Sequence, residues 1–387
     1  MRKRKVAIVV TSRASYARIK SAIRAIHQRM DLDLQLVVGA SALLEKYGSS
    51  VDMMERDGFA VAARVYMVLE GENPVTMAKT TGIGVMELAT IFDNLKPDIV
   101  LSVADRHETI ATAIAATYNN IPLAHVQGGE ISGSIDEKVR HAVTKFANFH
   151  FVANDKARER VIRMGEDPES VFVTGCPSVD LACEVVSSNN RIGPDLFKQY
   201  GGLGPAIDID KPFLIVMQHS VTTQYQEARQ QICVTLNAIA ELKIPSIWFW
   251  PNVDAGSDGV SKGIRMFREE NHIPFIHFFK NMAPEDFLSL LHKSSCIVGN
   301  SSVAIREASY LGAPAVNIGG RQQGRDRGPN VIDVDHEQGQ IQEAVKNQVA
   351  HGPYPKSELY GSGDAGPRIA DILGRIELRV EKRLHHR

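Results

Sequence analysis

The chain has 387 residues, 44% hydrophobic and 23% charged, enough for two domains that each bury a core of their own. Lysine and arginine total 44 against 45 aspartate and glutamate, and the formal net charge of -1 removes any bulk electrostatic case for nucleic acid or an anionic membrane as partner. A phosphorylated small molecule needs only a few basic groups placed locally.

Met1-Arg-Lys-Arg-Lys runs into Val6–Val10, an apolar run too short for a signal segment and broken by Thr11-Ser12-Arg13, so it reads as a first strand. No stretch approaches the ~20 apolar residues that cross a bilayer. Short β-branched runs predict strands at 5–10, 34–38, 98–103, 122–126 and 149–153, then at 213–218, 246–250, 275–278, 296–299 and 314–318. Between them lie stretches of helical period such as Tyr16–Arg29, Thr109–Tyr118 and Glu227–Leu242. That alternation predicts an α/β protein with parallel sheets covered on both faces. The break falls between 177 and 211, where Gly201-Gly-Leu-Gly-Pro205 is loop composition. The expected domains are 1–178 and 179–366, with a charged amphipathic helix over 367–387 packing back on the first. Two doubly wound halves meeting at a cleft hold their ligand at the carboxyl ends of both sheets. Cys176, Cys183, Cys233 and Cys296 fit neither a disulfide framework nor a zinc site, and read as free thiols in a reducing cytoplasm.

The polar residues at strand ends carry the chemistry. Thr11-Ser12-Arg13 opens a helix, where N–H groups and the Arg13 guanidinium suit a phosphate, although an ordinary strand-to-helix turn reads the same way. Asp105 follows another strand, as a cleft carboxylate or an N-cap, with Arg106 as its partner or as a phosphate ligand. In His125-Val-Gln127-Gly128-Gly129-Glu130 the glycines let backbone approach a ligand, and Glu130 adds a second carboxylate. Asp136 as N-cap and Glu137 in a first helical turn follow, with Arg140 one turn on. Acidic sites converging on one cleft are what proton abstraction beside protonation requires. In the second half, His219 ends a strand where it can donate to a diphosphate, and Pro251-Asn252-Val253-Asp254-Ala255-Gly256 is a polar loop. Gly299-Asn300-Ser301-Ser302 opens a helix carrying Arg306 and Glu307. Hydroxyls and N–H groups at such a helix start make a diphosphate site, and Glu307 can accept from ribose hydroxyls. Arg321–Arg327 is a basic, glycine-rich loop, readable as binding or as solvated surface.

In combination these motifs resemble the UDP-N-acetylglucosamine 2-epimerase family, more closely its hydrolysing branch, which serves sialic acid and related nonulosonic acid synthesis. The resemblance rests on Asp105-Arg106, His125–Glu130 with Ile135–His141, Asn252–Gly256, and Gly299–Ser302 with Arg306-Glu307. It implies a glycosyltransferase-B-like fold of two Rossmann-like domains around a central cleft. It also implies a cytoplasmic homo-oligomer, dimer or tetramer, that binds a UDP-sugar and UDP and has no nucleic-acid or membrane partner. No cofactor is required and no metal ligand is named, with a divalent cation left open. The implied reaction is anti elimination of UDP through a glycal, then addition of water to give the free C2 epimer.

Within the resemblance, Asp105, Asp136 and Glu137 match acidic positions used in proton transfer, Arg140 a supporting basic position, and His219 a histidine near the diphosphate. Arg13, Ser301, Ser302 and Glu307 match nucleotide contacts, and Arg106, Asn252, Asp254, Gly299 and Arg321 are further candidates for the UDP-sugar site. Gln127 stands where the family commonly has glutamate; an amide cannot serve as a carboxylate base. Proton transfer then shifts to Glu130, Asp136 or Glu137, or the amide marks a sugar with an extra acetamido group. Ser15 stands where the family often has aspartate. The expected substrate is UDP-N-acetylglucosamine, giving N-acetylmannosamine and UDP, with UDP-N,N'-diacetylbacillosamine as the alternative. The rivals are a non-hydrolysing 2-epimerase, a UDP-sugar glycosyltransferase that needs no carboxylate cluster, and a catalytically dead nucleotide-sugar sensor. Arg265 and Arg268 resemble an arginine pair that animal members use for feedback, and a solvated helix face explains them as well.

Overall fold

The computed structural model describes residues 2–103, 106–188, 192–193, 195–251 and 254–385. The first sheet comprises β1 (Arg4–Val10), β2 (Leu32–Gly39), β3 (Val61–Val65), β4 (Ile99–Val103), β5 (Leu123–Val126), β6 (Phe149–Val152) and β7 (Val171–Val173), in the order 3-2-1-4-5-6-7. The second comprises β8 (Leu214–Met217), β9 (Ser246–Phe249), β10 (Ile276–Phe279), β11 (Cys296–Gly299), β12 (Ala315–Ile318) and β13 (Val331–Val334), in the order 10-9-8-11-12-13. The pairings within both sheets are parallel. The chain is thus an α/β protein of two Rossmann-like halves around a central cleft.

Sequence and position agree strand by strand. Val6–Val10 and Ile99–Val103 are buried throughout, because a central parallel strand is covered on both faces and needs a continuous apolar run. The three strands that were not predicted, β3, β7 and β13, are all sheet edges. Val61-Ala-Ala-Arg-Val65 and Val331-Ile-Asp-Val334 remain partly exposed, so selection for apolar residues is weaker there.

Helix boundaries are set by local chemistry. Ser12 caps the helix Arg13–Gln28 by accepting from the Ser15 N–H, and the Ser12 and Ser15 hydroxyls lie 2.6 Å apart. Ser134, rather than Asp136, caps the helix Ile135–Phe146; Asp136 sits in its first turn. The expected loop between the halves holds the helices Pro177–Ser188 and Leu196–Tyr200. Pro177–Ser188 packs on Arg13–Gln28, Pro284–Lys293 and Ala365–Arg375. Its Asp180 carboxylate accepts from Ser21 Oγ at 2.7 Å and from the Ala365 and Gly366 N–H groups.

The C-terminal helix is shorter than expected, spanning Ala365–Arg375. It does pack against Arg13–Gln28, with Ile369, Ala370 and Leu373 in the same core as Ile19 and Ile23. Beyond it the described chain forms no helix or strand, and Ile376 and Leu378 pack partly buried against that core. No helix among the described residues is long and apolar enough to cross a membrane.

Candidate active site

Both sheets turn their carboxyl ends to the cleft, and loops at their switch points, after β1, β8 and β11, line one pocket. Met217, Phe249, Met282 and Phe287 form an apolar side; Arg13, Arg18, His219, Ser301, Ser302, Glu307 and Arg321 supply polar groups. Arg13 reaches across the cleft, donating to Asn281 Oδ1 at 2.9 Å and to the Lys280 carbonyl. Burial lowers its pKa to about 10, which leaves it a cation at neutral pH. His219 is clamped by Asn300, whose side chain accepts from its N–H and donates to its carbonyl, each at 2.8 Å. Burial and the neighbouring Arg321, opposed by Asp254, lower the ring to about 3, so it is a neutral imidazole. Glu307 is buried, with Oε2 unpartnered among the described residues.

The helix expected at Ser301 is a single 3-10 turn, Ser302–Ala304, capped by Ser301, and helix resumes only at Glu307–Leu311. The segment therefore offers hydroxyls rather than the dipole of a long helix. Gly299 is required where β11 closes on β8: at φ 134° its absent Cβ would lie 2.0 Å from the Met217 carbonyl oxygen.

The acidic candidates divide sharply. Asp105 and Asn252 lie outside the described residues. Asp136 faces the cleft, 3.6 Å from Arg321. Arg321 also lies 3.9 Å from Asp254, which pairs with Arg106 at 2.9 Å; Arg106 holds Glu108 through two more N–H groups. Burial works against these charges, and the mutual pairing outweighs it, raising the Arg106 pKa and lowering those of Asp254 and Glu108. Glu137 is spent locally: it accepts from the Ser132 N–H, Arg140 and His141. Burial would raise its pKa, but the His141 and Ser132 bonds and the Arg140 charge hold it below the ordinary carboxylate range. Arg140 is buried and also donates to the Glu130 carbonyl, so it folds the 130–137 loop. Glu130 is buried between Arg325 at 2.6 Å and Arg306 at 3.2 Å. The glycines before it serve packing rather than a ligand: a Cβ on Gly129 would lie 2.3 Å from the Ala157 carbonyl oxygen.

A second cavity of about 720 Å³ shares Arg13 with the first. Lys46, Arg106, Arg265, Arg268 and Lys280 line it beside Tyr47, Tyr200, Trp250 and Phe278. Arg265 lies over Trp250 at 5.9 Å and Arg268 over Phe278 at 5.2 Å, so this helix face lines a cavity rather than open solvent. Glu72 holds the lining residue Tyr47, accepting from its Oη at 2.6 Å and from Ser257 Oγ at 2.8 Å.

The family model described as UDP-N-acetylglucosamine 2-epimerase matches residues 24–374. The chain belongs to the UDP-N-acetylglucosamine 2-epimerase family. A relative from Legionella pneumophila, named UDP-N,N'-diacetylbacillosamine 2-epimerase (hydrolyzing), is 32% identical over 98% of this chain and 97% of its own length. A UDP-N-acetylglucosamine 2-epimerase from Neisseria meningitidis is 26% identical over 97% of this chain and 96% of its own length. The crystal structure of UDP-GlcNAc 2-epimerase from Neisseria meningitidis bound to UDP-GlcNAc superposes with a TM-score of 0.78 at 17% identity, covering 95% of this chain and 99% of that one.

For this member of the epimerase family, motif reading from sequence reached Arg13, Arg106, Asp136, His219, Asp254, Ser301, Ser302, Glu307 and Arg321, which line the cleft or pair across it. It missed Arg18 and Cys176, which carry no motif of their own, and named Arg325 only as part of a basic loop. Their contacts are made across the fold: Arg18 donates to Ser302 Oγ at 3.0 Å, and Cys176 Sγ receives the Gln127 amide at 3.0 Å.

Proposed function

We propose that the protein is a hydrolysing UDP-sugar 2-epimerase, converting UDP-N-acetylglucosamine and water to N-acetylmannosamine and UDP. The observation that carries this reading is the pocket at the paired switch points, which joins an apolar side for a pyrimidine, cations and hydroxyls for a diphosphate, and a buried carboxylate for ribose. Residues 1–178 and 179–366 act in it as the two domains.

The C1–O bond breaks with its electron pair leaving on UDP, the C2 proton passes to a carboxylate, and a C1=C2 glycal results. Water then adds its hydroxyl to C1 and gives its proton to a carboxylate, while a carboxyl group returns a proton to the opposite face of C2. Arg13, Arg321 and the Ser301 and Ser302 hydroxyls stabilise charge gathering on the diphosphate, and neutral His219 donates a hydrogen bond. Gln127 is an amide, and the proton-transfer pair is assigned to Asp105 and Asp136 by their match to acidic positions of the family motif; Asp136 lies 3.6 Å from Arg321, which lines the nucleotide pocket.

Proton NMR in deuterated buffer with UDP-N-acetylglucosamine tests the reading. UDP together with free N-acetylmannosamine deuterated at C2 is the expected outcome; accumulation of UDP-N-acetylmannosamine alone overturns hydrolysis. The name and 32% identity of the Legionella pneumophila relative favour a second reading, in which the sugar is the 2,4-diacetamido compound. Turnover of that substrate alone selects it.

A further inference from the structure

Between the nucleotide pocket and the 130–137 loop lies a buried cluster with no part in the proton transfers above. Arg306, 1% exposed, donates through Nη1 to Gln127 Oε1 at 3.1 Å and to Glu130 Oε2 at 3.2 Å. Through Nη2 it donates to Ser302 Oγ at 2.8 Å. Arg325 closes on the same Glu130 oxygen. The cluster thus ties the loop after β5 in the first sheet to the loop after β11 in the second.

Three features give it a direction. First, Ser302 Oγ accepts from both Arg306 and Arg18, at 2.8 and 3.0 Å. A hydroxyl has two lone pairs, so with both engaged its remaining role toward a ligand is to donate. Second, two guanidiniums close on one Glu130 oxygen, Arg306 at 3.2 Å and Arg325 at 2.6 Å, which anchors the loop after β5 against the Arg306 side chain. Third, Gln127 adopts a φ of 69°, a left-handed conformation that a non-glycine residue keeps only when its surroundings hold it. Its amide serves two neighbours at once: Oε1 accepts from Arg306 while Nε2 donates to Cys176 Sγ.

We propose that Gln127, Glu130 and Arg306 are positioning residues that fix Ser302 as a hydrogen-bond donor to the diphosphate. This rests on the nucleotide reading of the pocket. Gln127 on this account is a relay to Arg306, with no share in proton transfer.

The test is calorimetric titration of UDP into the wild-type protein, Ser302→Ala, Arg306→Gln, the double variant and Gln127→Glu, with steady-state kinetics alongside. Losing a hydrogen bond to a charged ligand weakens UDP about tenfold for Ser302→Ala and about ten- to hundredfold for Arg306→Gln. Because Arg306 acts through Ser302, the double variant binds no more weakly than Arg306→Gln alone. Losses that add overturn the proposal. Gln127→Glu puts a carboxylate against Arg306 that competes with Ser302 Oγ for its guanidinium, and is expected to weaken UDP about tenfold with kcat no higher; a raised kcat at unchanged UDP affinity overturns the relay and marks a proton-transfer position. If Arg306→Gln does not fold, the Gln127→Glu arm decides alone. A wild-type protein that binds no UDP overturns the nucleotide reading and this proposal together, whereas UDP binding with additive losses overturns this proposal only.

Discussion

Asp254→Asn isolates the contribution of one cross-cleft contact. Arg106 Nη1 and Asp254 Oδ1 lie 2.9 Å apart, and both residues are buried. Breaking a buried ion pair by removing one partner costs about 3–5 kcal/mol. Here the amide keeps the shape and one acceptor oxygen, and Arg106 keeps its two bonds to Glu108. The working figure is therefore about 2 kcal/mol. The pair joins the two halves across the cleft, so if the cleft opens and closes the loss falls on the closed arrangement. It amounts to at most about thirtyfold in the ratio of closed to open forms, and the apparent Kd for UDP rises by no more than that factor. KM for the sugar nucleotide should rise with it and kcat should move less, because the groups that act after closure are unchanged. Calorimetry with UDP and continuous assay of UDP release measure both. A Kd shift under about threefold refutes the view that this pair holds the cleft. A lowered Tm with unchanged Kd places its role in folding instead.

Three further outcomes follow from named contacts. Glu166 is held by the His150 ring, Lys145 and Lys382, which overcome the upward push of burial and lower its pKa from 4.5 to about 2. A depressed carboxylate contributes stability that is present above its unfolded pKa and is lost as pH falls from about 4.5 toward 2, at most ~3 kcal/mol and about 2 after allowing for the partly exposed lysines. Glu166→Gln should lower Tm at pH 7 by roughly 4–8 °C, and the gap should narrow toward pH 3; a gap independent of pH rejects the assignment. His219 is neutral through pH 5–8, so His219→Gln should lower kcat/KM without changing the shape of its pH profile. Loss of a limb near pH 6–7 would show that the ring ionises in that range. Glu307→Ala should weaken UDP about tenfold and 2'-deoxy-UDP less, since the role proposed for the carboxylate is to accept from ribose hydroxyls. Equal losses for the two nucleotides remove Glu307 from the ribose.

The central strands, their alternation with helices and the clustering of polar residues at strand ends were legible in the sequence because each is a local pattern. A strand covered on both faces must be apolar over its whole length, as Val6–Val10 is, and the residue that follows it turns toward the cleft whatever its partners. Gly299 and Ser301 belong to the same class, since strand-end geometry makes demands within a few residues.

Other features depended on distance in space. The edge strands β3, β7 and β13 have one free side and carry no full apolar run; only pairing with β2, β6 and β12 makes them strands. Among the carboxylates, Asp136, Glu137 and Glu130 look alike along the chain, yet Arg321 lies 3.6 Å from Asp136, Arg140 bonds Glu137, and Arg306 and Arg325 close on Glu130. The partners of Glu130, Arg306 and Arg325, come from the opposite half of the molecule, 176 and 195 residues away. The contacts of Gln127 were hidden for the same reason, since Arg306 and Cys176 meet it only after both sheets have formed. The sequence by itself thus determined which segments become central strands and which side chains enter the cleft. Tertiary structure decided which arginine meets which of those carboxylates, because a buried ion pair is chosen by proximity in three dimensions and leaves no periodic trace in the chain.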